Sequence, residues 1–266
     1  YNTLLSGIAM DGKSFFYVNP LEVWPANCME RTSKEHVKPV RQTWFGVACC
    51  PPNITRTLAS LGQYIYFKED NQIYTNLFIS NETKTEINNI HFTLKLTSNF
   101  PWENKIKFEV NGQSETNALF AFRIPNYAKN FKIKLNGKEI EYKPENSYAK
   151  LEGLFKNDII EIEFDAPATF IYANSEVRAD AGKVAVVKGP IVYCLEEVDN
   201  GKNLSSIFID TDKQIKCEFD NNLLGGSEVL ELSAQKIKSS QNNSLYSANK
   251  PQKEHLTVKA VPYCYW

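Results

Sequence analysis

Ile160-Glu161-Ile162-Glu163-Phe164 alternates apolar and charged residues without a break, the pattern of a strand with one buried and one wet face. Phe92-Thr93-Leu94-Lys95-Leu96 repeats it. Working outward, strand-like runs recur at short intervals over 72–79, 86–97, 105–110, 118–124, 131–135 and 158–164. Asn111-Gly112 and Asn136-Gly137 are dipeptides favoured in tight hairpins, and Asn157-Asp158 reads as a further turn. Short strands punctuated by turn residues predict an antiparallel β-sandwich over residues 65–173.

A second β region begins near 174, with strands expected at 183–188, 191–195, 206–209, 215–219, 229–232 and 255–261. It predicts a second sandwich over 174–266. Residues 235–252 are polar and read as an exposed excursion. The chain ends on Val261-Pro262-Tyr263-Cys264-Tyr265-Trp266, an aromatic segment that needs a packing partner and reads as a cut end. At the other end, Tyr1-Asn2-Thr3-Leu4-Leu5-Ser6-Gly7-Ile8 reads as the tail of an amphipathic helix, so a fragment of a longer protein is expected. Asp11-Gly12 signals a turn, Ser14-Phe15-Phe16-Tyr17-Val18 a short strand stopped by Asn19-Pro20, and 22–42 a long loop of the kind that often carries function.

Composition narrows the function classes. The 266 residues are 42% hydrophobic and 23% charged, a globular balance. Lys+Arg number 30 against 31 Asp+Glu, so no net field draws the chain to nucleic acid or an anionic membrane. No apolar run reaches the roughly 20 residues of a membrane helix, and no signal-peptide layout is present. Neither a nucleic acid nor a membrane is expected as a partner. Six unevenly spaced cysteines in a chain of this size suit a reducing, cytoplasmic compartment rather than a disulfide scaffold.

Two of those cysteines are adjacent, in Trp44-Phe45-Gly46-Val47-Ala48-Cys49-Cys50-Pro51-Pro52-Asn53. Neighbouring cysteines rarely bridge each other, because disulfide geometry is hard to reach across one peptide unit. Pro51-Pro52, followed by Ile54, Leu58 and Leu61 at helical spacing, predicts a helix that starts here and ends near Tyr64. Both thiols then sit at a helix start, where a thiolate is favoured and a bound cation would favour it further. The competing reading is a pair of buried structural thiols. Cys28 and His36 have no recognised ligand spacing and read as a packed thiol and a surface imidazole. Glu22, Glu30 and Glu35 read as surface carboxylates of the loop.

The cysteine block, with Tyr1-Asn2 and Phe16-Tyr17-Val18-Asn19-Pro20-Leu21-Glu22 before it, resembles the bacterial retaining β-L-arabinofuranosidase family of glycoside hydrolases. Phe122-Arg123-Ile124-Pro125, Gly189-Pro190-Ile191-Val192-Tyr193-Cys194-Leu195-Glu196, Asp199-Asn200 and Val261-Pro262-Tyr263 extend the resemblance along the chain. It implies an (α/α)6 barrel followed by two β-sandwiches. Residues 1–64 are then the last helical piece of that barrel, whose N-terminal part is a missing partner domain. It further implies Cys49 as nucleophile and zinc ligand, Cys50 as a second zinc ligand, and Tyr17 in the wall of the sugar pocket. The substrate class implied is an arabinofuranosyl oligosaccharide or glycoconjugate. An upstream Glu-x-Cys pair and the acid/base glutamate would lie before Tyr1, so zinc binding by this chain alone is expected to be weak or absent and the fragment inactive.

Such a site replaces one of the two carboxylates of a retaining glycosidase with a thiolate. Two other roles are compatible with the sequence. One is a carbohydrate-binding sandwich using Trp102, Tyr127 and Tyr172, whose alternative is ordinary core packing. The other is a structural brace or oligomer interface, including a homodimer.

Overall fold

The computed structural model describes residues 1–19, 22–24, 28, 36–238 and 245–266. The chain divides into two compact units: Pro52–Pro167, and Tyr1–Pro51 together with Ala168–Trp266.

The unit Pro52–Pro167 opens on an α-helix, Pro52–Ser60, continued by a 3₁₀ turn over Leu61–Tyr64. The double proline places the helix start as the sequence predicts. Nine strands follow: β1 (Tyr66–Glu69), β2 (Gln72–Thr75), β3 (Asn81–Ile87), β4 (Ile90–Ser98), β5 (Lys105–Arg123), β6 (Lys129–Leu135), β7 (Lys138–Ile140), β8 (Lys143–Glu145) and β9 (Tyr148–Asp165). They form one sheet along β1-β2-β5-β9-β6-β7, with β3 on β4, β4 on β5, and β8 on β9. Every pairing is antiparallel except β2 with β5, which is parallel, a departure from the all-antiparallel expectation.

The sheet folds over on itself. Phe108 and Phe120, twelve positions apart on β5, would stand about 40 Å apart on a straight strand. Their ring centroids are 5.7 Å apart, and those of Phe108 and Phe122 5.2 Å. The bend lies at the register shift between Asn111 and Thr116, where β5 carries extra residues opposite β9. The two halves of β5 thus face each other across a core containing Phe92, Leu94, Leu96, Phe108, Val110, Phe120, Phe122, Ile160 and Ile162, all almost fully buried. Burying each large side chain is worth about 1.5–3 kcal/mol, so the alternating pattern that predicted the strands also supplies the sandwich interior.

Two turn readings and one strand reading are corrected. Asn111-Gly112 makes no hairpin: both lie within β5, paired with Thr93 and Phe92 of β4. Asn157-Asp158 lies within β9, opposite Asn111 and Val110. The expected strand 86–97 is instead split by Asn88-Asn89, both at positive φ, into β3 and β4. Asn136-Gly137 does form the predicted two-residue hairpin, with φ of 51° and 79° closing Leu135 onto Lys138.

In the other unit, β10 (Ala168–Tyr172), β11 (Val184–Lys188), β12 (Ile191–Leu195), β13 (Ile207–Ile209), β14 (Lys216–Asp220), β15 (Ser227–Ile237) and β16 (Lys253–Pro262) make a seven-stranded sheet. All its pairings are antiparallel. The strand at Ala168–Tyr172 belongs to this sheet, since it pairs with β11. Val186, Ile191, Tyr193, Leu230, Leu232, Val258 and Ala260 form the core. Within 235–252, strand β15 runs on to Ile237, residues 239–244 lie outside the described residues, and 245–252 are exposed.

The N-terminal segment is sewn to this sheet. Helix Asn2–Ser6 places Asn2 so that its amide donates to the Pro190 carbonyl at 2.9 Å and accepts from the Val192 N–H at 2.8 Å. Phe16 stacks on Trp266 at 4.9 Å, and Tyr263 stacks on Trp266 at 5.7 Å. The terminal aromatic segment therefore finds its packing partner in the first residues of the chain. Ser14–Val18 is not a strand: Phe15 makes isolated bridges to Ile8 and Gln42.

Candidate active site

The site grows from that small β-bridge network. The Asp11-Gly12 turn, with Gly12 at φ +70° and the Asp11 carboxylate accepting from the Lys13 N–H, returns the chain so that Phe15 lies between Ile8 and Gln42. The two residues after Phe15 then serve different places. Phe16 packs on Trp266 and lies under the Arg41 guanidinium, 4.7 Å from its ring. Arg41 itself donates two hydrogen bonds, at 3.0 and 2.7 Å, to the carbonyl of buried Ser6, whose hydroxyl accepts from Asn19 at 2.8 Å.

Tyr17 goes to the cysteines. Its hydroxyl shares a 2.6 Å hydrogen bond with the Cys49 thiol. Its ring is stacked on His36, 4.0 Å between centroids and 13° between planes, and meets the edge of Phe45 at 5.4 Å. Phe45 also contacts His36 at 6.4 Å and Phe15 at 5.4 Å. Tyr17 and Phe45 are buried, whereas Cys49 and Cys50 are exposed. An aromatic wall thus holds one hydroxyl against a thiol that solvent and solutes can reach.

None of the six cysteines is in a disulfide, and the sulfurs of Cys49 and Cys50 stand 3.7 Å apart, well outside S–S bonding distance. The exposure of both removes the buried-thiol reading of the doublet. The Tyr17 hydrogen bond, and after it the one from Cys50, lowers the Cys49 pKa below the ordinary thiol value against the opposing cost of desolvation. The same contacts raise the Tyr17 pKa, so the tyrosine keeps its proton for the sulfur.

The spacing of the sulfurs also bears on metal binding. Zinc–thiolate bonds of about 2.3 Å in a tetrahedral shell put neighbouring sulfurs about 3.8 Å apart. Cys49 and Cys50 match one edge of such a shell. Among the described residues no group of three or more His, Cys, Asp or Glu completes it.

The structure brings together Tyr17, Cys49 and Cys50, the three site residues expected from sequence. It adds His36, which is no free surface imidazole but half-buried against Tyr17. Phe45 and Phe15 complete the wall. Nothing in the irregular stretch before the doublet marked His36, because only tertiary packing places it there. Cys28 is buried, as expected. Glu22 is exposed, and Glu30 and Glu35 lie outside the described residues. Of the proposed sugar-stacking aromatics, Tyr127 packs against the first core, while Trp102 and Tyr172 are exposed.

Comparison with known proteins gives three consecutive family matches. Residues 1–63 match the β-L-arabinofuranosidase GH127 catalytic domain, 72–166 the GH127 middle domain, and 168–266 the glycoside hydrolase family 127 C-terminal domain. A non-reducing end β-L-arabinofuranosidase of Bifidobacterium longum subsp. longum is 34% identical over 100% of this chain and 42% of its own length. The crystal structure of a GH127 β-L-arabinofuranosidase from Geobacillus stearothermophilus T6 superposes with a TM-score of 0.90 at 38% identity, covering 98% of this chain and 42% of that one. A GH127 β-arabinofuranosidase gives 0.83 at 30% identity, covering 98% and 41%. The chain therefore spans less than half the length of these relatives. With the catalytic, middle and C-terminal matches following one another along nearly all of it, the chain belongs to the GH127 β-L-arabinofuranosidase family.

Proposed function

We propose that this chain is part of a retaining glycoside hydrolase that removes β-L-arabinofuranosyl residues from an oligosaccharide or glycoconjugate, with Cys49 as the nucleophile. The observation that carries the reading is the exposed Cys49 thiol sharing a 2.6 Å hydrogen bond with the Tyr17 hydroxyl. A thiol attacks only as thiolate, and the lowered Cys49 pKa beside a fixed hydroxyl makes that form more available.

In the proposed reaction the Cys49 sulfur bonds to the anomeric carbon as the bond to the leaving oxygen breaks. That oxygen takes a proton from a general acid. Water, deprotonated by the same group, then displaces sulfur and returns the thiolate, with net retention. Tyr17 holds the sulfur at its attack position, and its O–H stabilises the charge when sulfur leaves as thiolate. His36 and Phe45 fix the Tyr17 ring.

Cys49 and Cys50 would hold zinc, which when bound supplies a strong bias to the ionised sulfur at neutral pH. We place the remaining ligands and the general acid in the part of the enzyme this chain does not span, so the chain by itself is inactive.

The test is turnover of a chromogenic β-L-arabinofuranoside by the full-length enzyme. Cys49→Ser is expected to abolish release with the circular dichroism unchanged, and a denatured-peptide mass spectrum of the wild type trapped with substrate should show one pentosyl addition on Cys49. Unchanged turnover in Cys49→Ser would overturn the assignment.

A further inference from the structure

A cavity of about 370 Å³ lies in the same unit as the cysteines, and Tyr17, Cys49 and Cys50 are not among its described lining residues. Trp24, Tyr263 and Trp266 line it together with Glu196, Glu197 and Asn203. Its volume falls within the roughly 300–1,000 Å³ of small-molecule sites, and a few polar groups set among aromatic ones is their usual chemistry.

The parts are held in place. Trp266 stacks with both Phe16 and Tyr263, within 17° and 13° of parallel. Glu197 accepts from the Asn203 N–H at 2.9 Å, with Asn203 in the left-handed region at φ 62°. Trp24, by contrast, is 53% exposed.

We infer that this cavity binds a neutral saccharide unit, as a glycan-holding subsite separate from the thiol centre. Aromatic rings offer flat apolar faces to the C–H side of a sugar ring, and carboxylates accept from its hydroxyls. Among the described residues no Lys or Arg lines the cavity while Glu196 and Glu197 do, so that lining disfavours an anionic ligand. Burial and the neighbouring Asp199 push the Glu196 carboxyl upward, with Arg41 pulling it partly back. Phe16 stacks on Trp266 while the next residue, Tyr17, bonds Cys49, so one dipeptide joins the two places. The expectation that the sugar is an arabinosyl unit rests on the proposed function; the saccharide class does not.

The experiment is saturation-transfer NMR with calorimetric titration of the full chain, using a β-L-arabinofuranosyl disaccharide as probe and tetramethylammonium as cationic comparator. Wild type and Cys49→Ala are expected to bind the disaccharide equally at millimolar concentration. Trp24→Ala and Glu196→Gln should each weaken binding at least tenfold, with Trp24→Phe restoring most of it. The same losses are expected in the full-length enzyme. Absence of binding in wild type, or Trp24→Ala and Glu196→Gln variants that bind normally, overturns the proposal. So does loss of binding in Cys49→Ala, binding of the ammonium ion in place of the sugar, or binding confined to the isolated chain. An active Cys49→Ser enzyme would overturn the nucleophile reading and leave this titration unaffected, so the two failures are distinguishable.

Discussion

The hydroxyl of Tyr17 and the thiol of Cys49, separated by 32 positions in the chain, share a hydrogen bond of 2.6 Å. Tyr17→Phe keeps the ring on His36 and deletes only the hydroxyl. The Cys49 pKa, held low first of all by that hydroxyl, is therefore expected to rise in the metal-free chain. The pH dependence of iodoacetamide alkylation at Cys49, under chelator, reads it directly. An unshifted profile would show that the hydroxyl does not favour the thiolate.

Cys50 calls for a different measurement, since its sulfur, 3.7 Å from that of Cys49, would supply one vertex of the proposed zinc shell. Cys50→Ser in the full-length enzyme is expected to lower zinc content by more than half after dialysis, measured by atomic emission. Turnover should recover in part with excess zinc. Stoichiometric zinc retained in that variant would remove Cys50 from the ligand set.

Gly112 tests the fold. A Cβ at this position would stand 2.3 Å from Cε1 of Phe92, a ring that is itself almost fully buried. Overpacking of this kind costs about 1–3 kcal/mol. Gly112→Ala is expected to lower the unfolding free energy measured in urea by that amount, and adding Phe92→Leu should recover part of the loss. A Gly112→Ala chain as stable as wild type would mean that β4 and β5 can separate at this point.

The same glycine shows where sequence reasoning stops. Asn-Gly is a sound hairpin signal, and at Asn136-Gly137 it gives one. At Asn111-Gly112 the glycine is required by a ring on the neighbouring strand, a contact no local pattern contains. The period-two runs were legible because each strand half separately buries one face. Their fusion into the long strands β5 and β9 was not, because the bulge between Asn111 and Thr116 conserves alternation on either side of it. At the site, Cys49, Cys50 and Tyr17 were legible as residue types in a recognisable block. His36 was hidden, since a stacked imidazole in an irregular loop has no spacing to betray it.

The pH dependence of stability centres on Lys259, which bonds Asp220 at 2.9 Å and lies 3.8 Å from Asp199. The bond with Lys259 holds the Asp220 pKa below its ordinary 3.8, and the same bond raises Lys259 above 10.5. A carboxylate with a lowered pKa adds stability that is complete above its unfolded value and is lost as pH falls through its folded one. A lysine with a raised pKa adds stability below its unfolded value and loses it as pH rises through its folded one. The contribution of the pair is therefore a plateau between those limits. Asp220→Asn is expected to destabilise the chain by a constant amount from about pH 5 to 9, the difference from wild type closing below pH 3.8 and above pH 10.5. Urea unfolding of both proteins across that range measures it. A difference that persists undiminished well below pH 3.8 would assign the effect of Asp220 to its backbone contacts with Asn222 and Leu223 rather than to the charge on Lys259.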